Sequence, residues 1–145
     1  MTIVKQLLFS FLSIIGFSIL YGTPRNSILK TSLVGAMGWI SLYISSLFFD
    51  SKILGTFLAA VTVGILGELF ARYYKKPATV FIIPGIFPLV PGAGMYYTML
   101  ALIEKDFISA ANKGTETLFI AAAISIGIIL STTLSRSIKR VKSKN

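Results

Sequence analysis

Histidine and cysteine are both absent from this 145-residue chain, and acidic residues are few. Without cysteine the chain can form no disulfide, no thiolate metal site and no cysteine nucleophile. Without histidine it lacks the commonest general base and metal ligand. The acidic residues are Asp50, Glu68, Glu104, Asp106 and Glu116. This composition argues against an enzyme and predicts no catalytic residue, no metal site and no cofactor.

Charged residues of both signs are scarce, whereas apolar residues are abundant. Only 13% of the residues are charged and 54% are apolar. A soluble domain usually has about 25% charged residues, so this chain could not cover a soluble core with a polar surface. The composition therefore predicts an all-α integral membrane protein of one domain.

Five apolar runs are long enough to cross a bilayer, which takes about 20 residues. They cover residues 6–22, 31–49, 53–71, 79–103 and 117–135. We interpret the first as a retained span rather than a signal peptide, because no clear cleavage site follows it and four further runs do. Residues 1–135 are thus predicted to form a single transmembrane domain of about five helices, followed by a basic cytoplasmic tail at 136–145.

The net charge of +9 bears on orientation rather than on nucleic-acid binding, because the basic residues lie between apolar runs instead of forming one patch. If all five runs cross, one side of the membrane receives most of them: Arg25, Lys30, Arg72, Lys75, Lys76, Arg136, Lys139, Arg140, Lys142 and Lys144. If the fourth run is re-entrant, they divide evenly. Since basic residues stay on the cytoplasmic side, we expect five crossings of the cell (plasma or inner) membrane with a cytoplasmic C-terminus.

The fourth run contains three prolines, Pro84, Pro88 and Pro91, and is expected to be broken. Each proline lacks an N–H and clashes with the preceding turn, so no regular helix is expected to run through them. The carbonyls of Val80, Pro84 and Phe87 lose their donors four residues on. In hydrocarbon such groups cost several kcal/mol each unless protein or water satisfies them. The pattern predicts a discontinuous helix of the kind that forms transporter sites, although a simple kink would also accommodate prolines.

A helix that restarts after Pro91 would direct the free amides of its first residues into the break. Such amides attract a carboxylate, and the freed carbonyls upstream would suit an ammonium group or a coupling ion. Two tyrosine hydroxyls lie within the next turn. The predicted substrate-binding residues are Pro84, Phe87, Gly92, Ala93, Gly94, Tyr96 and Tyr97.

Glu68 is the only carboxylate well inside an apolar run, which makes it a candidate for ion coupling. Arg72 lies four residues on, so the two could equally form a structural pair on one helix face. Trp39 and Tyr43 share a face of the second run and are expected to pack rather than to bind a ligand.

Small residues recur every four positions in the third and fifth runs, which is typical of closely packed membrane helices. The pattern comprises Gly55, Ala59, Ala60, Gly64, Ala123, Gly127, Ser131 and Ser135. It predicts packing within this chain, with packing against a second subunit as the alternative. Five spans do not divide into two equal inverted halves, which favours a chain that acts with a partner or as an oligomer.

Several segments resemble the threonine/serine exporter family, in particular its small YjjB-like subunit. The segment PGIFPLVPGAGMY at 84–96 is similar to the family's PGIxPLVPGxxxY segment. VGILG at 63–67, RYY at 72–74, Pro77, YGTPR at 21–25 and GAMGW at 35–39 add weaker similarity in the same order. The resemblance covers nearly the whole chain.

This resemblance implies export of threonine and serine, or of a dicarboxylate such as succinate, driven by the membrane gradient. It also implies a larger YjjP-like subunit as partner, but it transfers no substrate-binding residue. Two other functions remain open: a structural scaffold subunit and a small holin-like pore protein. The predicted partners are therefore the bilayer, the larger subunit and a small amino acid or dicarboxylate, with no nucleic acid.

Overall fold

The computed structural model describes residues 3–49 and 51–142, and within these ranges the side chains at 136 and 138–142 are not described. Asp50 and all five basic side chains of the predicted tail thus lie outside the described residues. Those residues form helices and no strand: α1 (Ile3–Leu20), α2 (Arg25–Phe48), α3 (Lys52–Tyr73), α4 (Thr79–Ile86), a 3₁₀ turn (Phe87–Leu89), α5 (Gly92–Ile103) and α6 (Phe107–Lys142).

The described part of the chain has four helices long and apolar enough to cross a membrane, namely α1, α2, α3 and α6. The segment Thr79–Leu89 and α5 are together apolar and long enough for a fifth span. The two parts meet at a short break with a bend of 49°. The predicted all-α membrane fold of about five helices, with the fourth broken, is therefore confirmed, as four unbroken candidate spans and one bent pair.

Helix α6 is much longer than the apolar run that predicted it. It begins at Phe107 instead of residue 117 and has 36 residues, which is roughly 54 Å at 1.5 Å per residue. The polar residues Lys113 and Glu116 end the apolar run but do not end the helix, because lysine and glutamate are good helix formers. Since the hydrocarbon core is about 30 Å thick, α6 extends beyond it.

Helices α2 and α3 form the centre of the bundle. Helix α1 packs on α2, α6 packs on α3, and α4 lies in the groove between α2 and α3. Helix α5 packs along α6 and has no extensive contact with another described helix. The core at the α2–α3–α6 junction comprises Val34, Ala59, Ala60, Val63, Leu89 and Ile124.

The small residues of α3 and α6 pack against one another within this chain, as the sequence predicts. A Cβ atom added at Gly64 would lie 1.8 Å from Ser131 Oγ, and one added at Gly127 would lie 2.9 Å from Ala60 Cβ. Both distances are far below an ordinary contact, so the two backbones approach as closely as the absence of side chains allows.

Basic residues of two linkers gather at one end of the bundle. At one end Lys76 donates hydrogen bonds to Asn26 and Ser27, which joins the α3–α4 turn to the start of α2. We call this the basic end, and Ser135 of α6 also lies there, in contact with Arg72. At the opposite end the start of α3 lies beside α6. The linkers predicted to share one side of the membrane therefore lie at one end of the bundle.

Candidate functional site

The break in the fourth span lies at the second and third prolines, Pro88 and Pro91, and not at the first, Pro84. No regular helix runs through all three prolines, as predicted, but Pro84 lies inside α4, so the helix continues past the first of them. The reason is a substitute donor: the Thr31 hydroxyl of α2 donates a hydrogen bond to the Val80 carbonyl oxygen at 3.2 Å. That carbonyl is the one that Pro84, four residues on, cannot serve. The helix ends where Pro88 and Pro91 follow.

The other two carbonyls freed by proline also have donors within the chain. The Phe87 N–H donates to the Pro84 carbonyl, and the Val90 N–H donates to the Phe87 carbonyl at 3.2 Å. A carbonyl oxygen has two lone pairs, so each retains capacity for one further donor such as an ammonium group. Pro84 itself is buried between helices, whereas Phe87 is half-buried against Phe17 and Tyr21 of α1.

The start of α5 offers fewer free amides than the sequence predicts. Pro91 precedes the helix, the Gly92 N–H donates to the Val90 carbonyl at 2.8 Å, and the Met95 N–H donates to the Pro91 carbonyl at 3.1 Å. Among the described residues, the amides of Ala93 and Gly94 have no backbone acceptor. The start of α5 therefore presents this pair of amides without an acceptor in the backbone.

Tyr96 and Tyr97 lie on the outer side of α5. Their side chains are 63% and 51% exposed, and their rings meet edge to face at 5.4 Å between centroids. The Lys113 ammonium lies 5.5 Å from the centre of the Tyr97 ring. The structure therefore does not bring these tyrosines together with Pro84 and Phe87.

Each of the three prolines lines a different cavity. Pro84 lines a cavity of about 200 Å³ beside the α1–α2 turn, which we call the basic-end cavity. Pro88 lines one of about 280 Å³ against α1, the α1 cavity, together with Gln6, Ser10 and Ser13. Pro91 lines one of about 300 Å³ between α2 and α3, the Lys52 cavity. Cavities thus follow the broken segment from the basic end toward the opposite end.

Trp39 forms a wall between two of these cavities, because it lines both the α1 cavity and the Lys52 cavity. Its indole N–H donates to Gln6 Oε1 at 2.8 Å, which fixes the ring against α1. Tyr43 also lines the Lys52 cavity. The sequence indicated that these two aromatic residues only pack, whereas in the structure both border open space beside the break.

Lys52 is the residue of the site that sequence reasoning missed. It lines the Lys52 cavity and forms an ion pair with Glu116 of α6, with 3.0 Å between Nζ and Oε1. In the sequence Lys52 is a linker residue between two apolar runs, and Glu116 lies 64 positions away. No local pattern indicates that the two meet, because only the packing of α3 on α6 brings them together.

Glu68 and Arg72 are joined through a third residue instead of directly. The Arg72 guanidinium donates to the Ser135 hydroxyl at 2.6 Å and also to the Ser135 carbonyl. The Ser135 hydroxyl in turn donates to Glu68 Oε2 at 3.5 Å. Glu68 is half-buried and lies near the basic end, so this three-residue cluster links α3 to α6 at that end.

The described residues contain no group of three or more carboxylates that could hold a metal ion. A protein-family model described as "Threonine/Serine exporter, ThrE" matches residues 6–134 of the chain. No solved structure matches it. The match covers α2 to α5 completely and most of α1 and α6, and it includes the three prolines and the residues that line the cavities beside them.

Proposed function

Because the chain belongs to the threonine/serine exporter (ThrE) family, we propose that it is the small membrane subunit of a secondary exporter. Its family is one of transporters, and its helices make it a multi-pass membrane protein. The proposed cargo is threonine or serine, or a related small carboxylate such as succinate. The proposed partner is the larger YjjP-like subunit.

One observation carries the proposal: the broken fourth span is bordered by a cavity at each of its prolines. An exporter needs a route along which polar backbone and small polar ligands meet away from lipid. Cavities of about 200 to 300 Å³ are at or below the lower end of ligand pockets, which suits a small metabolite. The amides of Ala93 and Gly94 and the carbonyls of Pro84 and Phe87 are proposed to contact it, with Gly92 allowing close approach.

Helix α5 supports the need for a partner. Among the described helices it has extensive contact with α6 only, and its other side is open and apolar. The exposed side chains there include Met95, Tyr96, Met99, Leu102 and Ile103. We propose that the YjjP-like subunit packs against this side of α5 and completes the transport route beside the broken span.

The basic end is proposed to face the cytoplasm of a cell with this protein in its plasma or inner membrane. Lys76, Arg72 and Lys30 lie at this end, and basic residues are retained on the cytoplasmic side during insertion. The C-terminus would then be cytoplasmic. A reporter fused after Asn145 should give a cytoplasmic signal, and an external signal would overturn this orientation.

Glu68 is proposed to couple an ion to export, because a half-buried carboxylate within a span can exchange a proton or hold a cation. Glu68→Gln should abolish the dependence of efflux on external pH while leaving the protein in the membrane. Glu104→Gln removes an exposed carboxylate outside the bundle and is the matched control. If efflux by Glu68→Gln keeps the wild-type pH dependence, Glu68 has only the structural role of contacting Ser135.

The decisive experiment is efflux of labelled threonine and labelled succinate from preloaded cells, with this chain and a YjjP-like subunit expressed singly and together. Efflux that requires both chains supports a two-component exporter, and the substrate that leaves identifies the cargo. Leakage of both substrates from cells with this chain alone would instead support a holin-like pore. No efflux in any combination would leave the scaffold function as the better explanation.

A further inference from the structure

The cavity at Pro91 has a full positive charge at its edge, which the broken helix itself lacks. We propose that Lys52 binds the carboxylate of the transported metabolite in the Lys52 cavity, and that Glu116 competes with that carboxylate for Lys52. This inference rests on the proposed function, because it assigns the residues that recognise the cargo of that exporter.

The Lys52–Glu116 ion pair is suited to exchange. The two side chains are 79% and 48% exposed, and exposed pairs contribute little net stability. The lysine ammonium is a compact charge on a flexible stem, so it can turn from Glu116 toward another carboxylate without a change of backbone. A ligand carboxylate therefore replaces Glu116 at small cost.

The rest of the cavity complements the other end of an amino acid. The Ser46 hydroxyl donates to the Tyr43 carbonyl at 2.7 Å, and the Thr56 hydroxyl donates to the Lys52 carbonyl at 2.8 Å. Because their protons are engaged, these hydroxyl oxygens retain acceptor capacity. An ammonium group needs acceptors and a carboxylate needs Lys52, so a zwitterion can be satisfied at both ends within one cavity.

If Glu116 competes with the cargo, neutralising Lys52 and neutralising Glu116 should change cargo binding in opposite directions. A purely structural ion pair predicts no such difference. If the pair only holds α3 against α6, neutralising either partner removes the same contact and changes transport in the same direction. If Lys52 binds cargo, neutralising Lys52 weakens binding, whereas neutralising Glu116 removes a competitor and strengthens it. The signs of the two effects therefore separate the two roles.

The test is exchange of labelled threonine in proteoliposomes that contain this full chain and its YjjP-like partner, with unlabelled succinate as a competitor. Lys52→Gln should raise the half-saturating threonine concentration by about tenfold or more, the change expected from losing a charge-assisted hydrogen bond. Glu116→Gln should lower it. Lys113→Gln is the matched control, because Lys113 lies on α6 beside Tyr97 and does not line the Lys52 cavity.

The outcomes distinguish this inference from the function on which it rests. If the wild-type chain together with its YjjP-like subunit exchanges neither threonine nor succinate, the proposed function fails and the inference fails with it. If the wild type exchanges threonine but Lys52→Gln retains the wild-type half-saturation, only the inference is overturned. The same holds if both neutralised variants shift in the same direction. Thermal melting of each purified variant shows whether a loss of exchange reflects a loss of fold.

Discussion

Gly35 of α2 and Gly85 of α4 pack backbone against backbone: a Cβ atom added at Gly35 would lie 2.8 Å from the Gly85 carbonyl oxygen and 2.9 Å from its Cα. This contact seats α4 deep in the groove between α2 and α3. The same depth brings Leu89 into the core and places Pro91 at the wall of the Lys52 cavity. The position of the break therefore depends on a glycine in another helix.

Gly35→Ala is accordingly expected to destabilise the protein, because its methyl group meets backbone atoms of α4 that cannot turn aside. Overpacking of this kind typically costs about 1–3 kcal/mol. Thermal unfolding of the purified protein in detergent measures the effect. Gly16→Ala is the control, since a Cβ atom at Gly16 meets nothing within 4 Å. Equal melting temperatures for the two variants would show that α4 is not held in this groove.

Thr31→Val should destabilise the protein by a different route. Valine keeps the shape of threonine but removes the hydroxyl that serves the Val80 carbonyl, and an unsatisfied buried acceptor costs about 1–3 kcal/mol. Thr31→Ser restores the hydroxyl and should recover most of the lost stability. The measurement is the melting temperature of both variants. If Thr31→Val melts like the wild type, another donor serves Val80.

Much of the fold could be predicted because hydrophobicity and proline act locally. The apolar runs identify the spans, and the prolines at 84, 88 and 91 identify the broken one. Neither signal depends on contacts with the rest of the chain. The continuation of α4 through Pro84 could not be predicted, because it depends on Thr31, a hydroxyl 49 positions before Val80. The start of α6 was predicted from hydropathy at residue 117. The helix begins earlier, at Phe107, because the polar residues before the apolar run also favour a helix.

The site was less predictable than the fold because its groups come from separate helices. The sequence placed the site in one continuous segment, from Pro84 to Tyr97. The structure instead disperses that segment over several cavities and directs both tyrosines outward. The packing of α3 on α6 also brings Lys52 and Glu116 together beside one of these cavities. Charged residues near the ends of apolar runs indicate orientation in a sequence and give no sign of what they contact.

Gly92→Leu should abolish transport without blocking insertion or folding. A Cβ atom at Gly92 meets nothing within 4 Å in this chain, so a side chain can start there without a clash, and a leucine should fill the approach to the amides of Ala93 and Gly94. The measurement is efflux together with the amount of protein in the membrane. Gly94→Ala is the contrasting variant, since its Cβ atom would lie 2.4 Å from Thr117 Oγ1 and should weaken the packing of α5 on α6. Full efflux by Gly92→Leu would exclude a ligand site at the start of α5.

Asp106 should make stability depend on pH at the turn between α5 and α6. The Ser109 side chain and the Ser109 N–H, at 3.1 Å from Asp106 Oδ1, donate hydrogen bonds that hold the pKa of Asp106 below its ordinary value. The ionised carboxylate thus caps α6 and lies near Lys113. Because the pKa is lowered in the folded state, the stabilisation is complete above the ordinary carboxyl pKa and is lost as pH falls through the lowered value.

Asp106→Asn keeps a capping oxygen but removes the charge, so it isolates this effect. Its melting temperature should lie below that of the wild type at neutral pH, and the difference should disappear in acid, when Asp106 is protonated. Ser109→Ala removes the strongest cause of the lowered pKa, so the acid transition should move to higher pH in that variant. Melting curves recorded across the acidic range measure both effects. A difference between Asp106→Asn and the wild type that stays constant down to strong acid would show that the charge of Asp106 does not stabilise α6, because protonation would then leave the cap unchanged.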